Sequence, residues 1–219
     1  MITLAFALFA AAQVPEQAPR MDDRPAPWPE NDRGFGPNVD RVAESEPDAR
    51  RTMAQFATCV VENSAAKAAD VLTRDFRTTE YRSGLKNLTR ANEGCAKRVG
   101  LRGRMSGSYL SFAGALAEAM IGRDPVPLKI RLAKAAVGKE APTFAPSDKI
   151  AMCVARSSPD EVAALFAAAP ASSEEAGAAA KLQPVVQLCS QNTKLDTNLV
   201  GLRSIIASAS FRLLAAQES

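Results

Sequence analysis

The sequence predicts an all-α protein: a tandem duplication of a disulfide-linked four-helix unit, preceded by a signal peptide and a disordered Pro-rich leader. Three observations carry that expectation. Alanine is abundant while aromatic residues make up only 5% of the 219 positions. Such a composition suits closely packed helices and leaves few of the β-branched and aromatic side chains that strands use. The four cysteines form two pairs at one interval, Cys59 with Cys95 and Cys153 with Cys189, each 36 positions apart. A shift of 94 positions lays the first pair on the second, and a series of matching residues comes with it.

Met1 to Ala12, MITLAFALFAAA, is an apolar run closed by small residues, with Ala10 and Ala12 in an A-x-A arrangement. Residues 1–12 therefore read as a secretory signal peptide. The run is shorter than the roughly 20 apolar residues that span a bilayer. No other window approaches that length, so no transmembrane span is expected in the mature chain. Export places the chain in the periplasm or outside the cell, where paired cysteines become disulfides. Residues 13–46 hold Pro15, Pro19, Pro25, Pro27, Pro29 and Pro37 among charged residues and glycine. With so little to bury, this acidic leader does not offset its ordering entropy. Trp28, the only tryptophan, lies within it, either as a docking or anchoring side chain or as a solvated linker residue.

The first repeat is placed at 47–123. Ser45 and Pro47 suit a helix start, after which Met53, Phe56, Ala57 and Val60 recur at helical spacing around Cys59. Ser64 is read as the cap of a second helix. Thr79 and Glu80 open a third, with Leu85, Leu88, Asn92 and Cys95 on one face. A fourth, carrying Phe112, Leu116 and Met120, runs from about Ser108 to Arg123-Asp124-Pro125. Residues 124–146 contain the basic amphipathic segment LKIRLAKAAV and the linker GKEAPTFAP. Such a segment can lie on a membrane or an acidic partner. With so few turns it is expected instead as a bridging helix packed across both units.

The second repeat, 147–219, follows the same plan. Ser158 stands where Ser64 stood, followed by Pro159, Asp160 and Glu161, residues that favour a helix N-terminus. Ser173 and Glu174 repeat the third start, and Leu199, Leu202, Ile206, Ala209 and Leu213 form the closing stripe. Twelve identities occur in 59 aligned positions, all four cysteines among them. Each copy must have folded alone before it was doubled, which favours pairing Cys59–Cys95 and Cys153–Cys189. A loop of that size is worth about 4 kcal/mol per bridge on the chain-entropy model.

The chain contains no histidine, which removes the commonest general base near neutral pH and the commonest metal ligand. No C-x-x-C is present either, so the cysteines read as structural, and neither a metal nor a cofactor is expected. Charge is uneven: residues 1–46 carry 4 basic and 8 acidic side chains, residues 47–146 carry 17 and 9, and residues 147–219 carry 6 and 7. The excess in the first repeat concentrates in CAKRVGLRGRM, where Lys97, Arg98, Arg102 and Arg104 crowd beside Cys95. The second repeat has Gln191, Asn192, Asp196 and Asn198 in their places. Arginines on a disulfide-anchored loop suit phosphate or carboxylate groups. A lipid headgroup, an anionic envelope polymer or another protein would supply them, whereas nucleic acid is a poor candidate for want of interleaved aromatics and because export removes the usual partner.

These residues point to a secreted or periplasmic, non-enzymatic binding or envelope-associated protein. The alternative is a hydrolase-like enzyme with a single site in the first repeat. Glu118 sits in the apolar run AGALAEAM near Tyr81, Tyr109, Ser106 and Ser111, where burial would raise its pKa. Exposure, or pairing with an arginine such as Arg104, is the simpler expectation for Glu118. No nucleophile-elbow, phosphate-loop or dinucleotide motif supports the enzyme. In its leader, its cysteine-helix-serine succession and its AGALAEAM helix, the chain resembles small exported alphaproteobacterial proteins without an assigned activity. The resemblance covers about residues 50–120 and 147–215. It implies no substrate and no catalytic residues.

Overall fold

The computed structural model describes residues 46–100, 108–191, 193 and 195–218. The segments expected as signal peptide and leader, Trp28 among them, and the candidate residues Arg102, Arg104 and Ser106 lie outside the described residues. Among the described residues the chain is helical throughout, without a strand, and no helix is long and apolar enough to cross a membrane.

The first half opens with α1 (Glu46–Thr73), with Glu46 and Asp48 in its first turn, where acids complement the helix dipole. At Ser64 the helix breaks, with φ −142° and ψ 34°. The sequence predicts a capping serine there, and the structure corrects that role. The Ser64 hydroxyl accepts instead from Asn92 Nδ2 at 3.1 Å, so the break is tied to the following helices. α2 (Thr79–Ala91) is capped by Thr78, which accepts from the Tyr81 N–H at 3.2 Å. The helix then breaks at Asn92, whose Nδ2 also donates to the Leu88 carbonyl, and α3 (Glu93–Arg98) carries Cys95. What reads as one third helix is therefore two. α4 (Tyr109–Ile121) is capped by Ser108 on the Ser111 N–H at 3.0 Å.

After α5 (Leu128–Ala136), the second half comprises α6 (Pro146–Ser157), α7 (Pro159–Ala167), α8 (Ser173–Ser190) and α9 (Leu199–Ala215). Ser158 also breaks the helix without a side-chain cap, while Ser172 and Asn198 cap α8 and α9. Boundaries in the two halves correspond: the breaks at Ser64 and Ser158, the starts at Thr79 and Ser173, and the ends at Ile121 and Ala215 each lie 94 positions apart. The disulfides join Cys59 to Cys95 and Cys153 to Cys189, with Cα atoms 5.7 and 5.8 Å apart.

α4 and α9 lie at the centre, and small residues let them approach. A Cβ on Gly114 would stand 2.6 Å from the Ser204 Cα, closer than any real side chain allows. α9 is buried from Leu202 to Leu213 except at Ile205, as befits a helix enclosed on all sides. One core gathers Phe56, Leu72, Leu85, Phe112 and Leu116 and takes Ala207 and Phe211 from α9. A second gathers Leu132, Val154, Leu165 and Leu182 with Ile206 and Leu213. α9 thus serves both. α5 packs chiefly on the second half, sinking Leu132 and Ala135 into its core, while Leu128 alone of that helix touches both.

Candidate functional site

Four charged side chains from four helices meet where the two halves join. Glu175 stands in the first turn of α8 and is fully buried. Local structure puts it there: its own N–H donates to the capping Ser172 hydroxyl at 3.1 Å, and its carboxylate accepts from the Ala171 N–H at 2.8 Å. The pattern is close to a capping box, shifted by one donor. Arg50 of α1 donates through both Nη atoms to the Glu175 carboxylate, Nη1 at 2.8 Å. Arg203 of α9 donates through Nη1 to Glu175 Oε1 at 2.9 Å and to the Ala168 carbonyl at 3.1 Å. Its Nε and Nη2 clasp Glu118 of α4 at 2.7 and 2.6 Å. The chain Arg50–Glu175–Arg203–Glu118 holds two positive and two negative charges and fastens α1, α4, α8 and α9 together.

Above this chain opens a cleft of 1080 Å³. Its walls are mainly apolar, among them Met53, Ala115, Ala119, Leu128 and Phe166, and its floor shows Arg50, Glu118 and Arg203. Burial pushes the Glu118 carboxyl above its ordinary pKa, against the pull of Arg203. Burial acts on Glu175 in the same sense, but Arg50, the Ala171 N–H and Arg203 outweigh it and hold that carboxyl below the ordinary value. Arg203 also loses by desolvation, which its two carboxylates overcome, so its pKa is raised.

The positions 94 residues from Arg50, Glu175 and Glu118 are Phe144, Tyr81 and Arg212, and they gather about a second buried pair. Arg212 Nη2 donates to Asp148 Oδ1, whose other oxygen accepts from the Phe144 N–H at 2.9 Å. The Arg212 guanidinium also lies 5.5 Å from the centre of the Phe144 ring. Burial raises the Asp148 carboxyl against the influence of Arg212, and it pushes the Tyr81 hydroxyl up to about 12.

Of the predicted anion-binding residues, Lys97 and Arg98 are described, at the end of α3 and exposed. Arg98 lies 3.3 Å from Glu62, a residue of the cleft wall, so the basic end of α3 borders the cleft. The alternative site is not assembled as the sequence suggests. Glu118 and Ser111 line the cleft, whereas Tyr81 and Tyr109 are buried elsewhere, and Glu118 is paired with Arg203. Arg50, Glu175 and Arg203 were not legible as a site. The one available signal was the Ser172-x-x-Glu175 capping pattern. Among the described residues no group of three metal-ligating side chains gathers. Comparison with protein-family models, curated proteins and solved structures finds no match.

Proposed function

We propose that the chain is a non-enzymatic binding module of the periplasm or extracellular space, built by tandem duplication of a helical unit. Its cleft takes the apolar part of an anionic partner, and the basic end of α3 with the neighbouring Arg102 and Arg104 takes the charge. One observation carries this reading: the charged groups on the cleft floor neutralise one another beneath apolar walls. The cleft therefore offers a surface for burial rather than an unpaired reacting group, which is the usual character of a ligand site. The exposed cations Lys97 and Arg98 stand at its border. The matched helix boundaries, the equal cysteine intervals and the broken helices at Ser64 and Ser158 support the duplication. Two disulfides suit an oxidising compartment, in keeping with an export signal in residues 1–12.

A hydrolase-like site keeps one favourable observation, the raised carboxyl of Glu118 opening onto the cleft. Both of its oxygens are held by Arg203, so it would have to leave that clasp before accepting a proton.

The test uses an anionic apolar dye, anilinonaphthalenesulfonate, and native envelope fractions. Saturable binding of the dye to the folded protein is expected, with loss on filling the cleft by Ala119→Trp. Retention on envelope fractions is expected to fall when Arg98, Arg102 and Arg104 are changed together to Ser. Unchanged retention together with equal dye binding by the cleft-filled variant would sink the reading.

A further inference from the structure

α5 is covered on one face only. Leu132 and Ala135 are buried in the second core. On the opposite side Ile130 is 55% exposed, and Val137, which follows the last residue of the helix, is 88% exposed. These two are seven positions apart and so lie on one side of a helix. Val126, just ahead of the helix, is 45% exposed. A single exposed valine calls for no explanation. Here three of the five large hydrophobic side chains exposed among the described residues fall within a dozen positions. Cations flank them: Arg123, Lys129 and Lys134 are all exposed.

The acids of the same segment, Asp124 and Glu140, each lie near an arginine and are outnumbered by its five cations, Arg123, Lys129, Arg131, Lys134 and Lys139. Asp124 lies 3.6 Å from Arg131, which also donates to the Ile121 and Val126 carbonyls. Glu140 lies 3.6 Å from Arg156. Lys129 stands 3.8 Å from Asp160, but both groups are well exposed, and such a contact holds little. The surface of α5 is therefore apolar along its crest and positive at its flanks.

We infer that α5 docks the protein on an anionic lipid bilayer. Ile130, Val126 and Val137 enter the headgroup boundary while Arg123, Lys129 and Lys134 meet the phosphates, the arrangement of helices that lie in a membrane interface. A soluble polyanion would engage the cations and leave the apolar crest in water. An acidic protein would need a concave surface to cover a single convex helix. The loop from Arg123 to Pro127 and the start of α5 also line the cleft, so docking sets the cleft mouth beside the lipid. The inference goes beyond the cleft reading and stands without it, because Ile130, Lys134 and Val137 do not line the cleft.

The experiment is co-sedimentation of the mature chain with vesicles of phosphatidylcholine, with and without phosphatidylglycerol. Binding is expected only with phosphatidylglycerol, and it should weaken with added salt. Lys134→Ser is expected to lower the partition coefficient about fivefold. Ile130→Asp with Val137→Asp is expected to abolish sedimentation. All three side chains are exposed, and unchanged helicity confirms the fold of each variant. Anilinonaphthalenesulfonate binding should persist in both, which separates failure here from failure of the cleft reading. Equal partition onto both vesicle types would overturn the proposal. So would loss in the lysine variant alone combined with retention on a polyglutamate column, an outcome that assigns α5 to an acidic polymer or protein.

Discussion

Replacing Glu175 by Gln removes one negative charge from the centre of the ionic chain while keeping its shape. In the native structure the fully buried carboxylate accepts from Arg50 twice, from Arg203 and from the Ala171 N–H. Gln keeps one acceptor oxygen and turns an amide toward guanidinium groups that cannot accept. Two arginines then share the single negative charge of Glu118, and Arg50, with a side chain only 14% exposed, loses its counter-ion. Breaking a buried pair from one side costs about 3–5 kcal/mol, because the remaining charge stays desolvated. Against a domain stability of about 5–15 kcal/mol that is a large share. In urea, with a slope of about 2 kcal/mol/M, the midpoint should fall by roughly 1.5–2.5 M with the slope unchanged. Adding Arg50→Met restores neutrality to Arg203–Glu118, so the double variant should regain part of the loss. The expected coupling is about 1–3 kcal/mol. A single-variant cost below about 1 kcal/mol, or costs that add within about 0.5 kcal/mol, would refute the view that charge balance holds the four helices.

Gly114→Ala should destabilise by about 1–3 kcal/mol, because its Cβ would press on the Ser204 backbone and part α4 from α9; thermal melting that matches the wild type would contradict this close approach. Changing Cys153 and Cys189 together to Ser should cost about 2–5 kcal/mol, and non-reducing peptide mapping of the wild type should yield only the two bridges seen here. Stability against pH, followed by urea titration across roughly pH 3 to 7, should separate Glu118 from Glu175. The raised Glu118 carboxyl contributes stability that is present below its unfolded pKa and is lost as pH rises through the folded one. Glu175, held low, contributes stability above its unfolded pKa that is lost as pH falls. The wild-type advantage over Glu118→Gln should therefore shrink with rising pH, while that over Glu175→Gln should grow; slopes of one sign for both would be inconsistent with these environments.

The helices were legible where the signal was local. Ser108 caps α4 as its position before an apolar stripe implies, and Pro159 opens α7 in the first turn. Ser64 shows the limit. A serine between two helical runs reads as a cap, but its hydroxyl is drawn to Asn92, 28 positions on. Asn92 in turn breaks the run toward Cys95 into α2 and α3, while the corresponding stretch of the second half continues as α8 through Pro184. Side-chain partners brought from a distance decide such breaks, and propensity does not contain them.

The same division governs the site. The exposure of Lys97 and Arg98 was legible, because a contiguous run of charges stays in solvent. Arg203 and Arg212 were not, since each interrupts an apolar stripe and each finds its carboxylate far along the chain, at Glu118 and Asp148. Sequence by itself determined the helical class and the two cysteine bridges, because periodicity, composition and cysteine spacing are properties of one dimension. Tertiary structure alone decided that Arg50, Glu118, Glu175 and Arg203 form one neutral chain beneath a cleft, and that α5 turns Ile130 and Val137 outward. A buried charge becomes tolerable only when its partner arrives, and an apolar residue becomes a surface only when the rest of the chain leaves it uncovered.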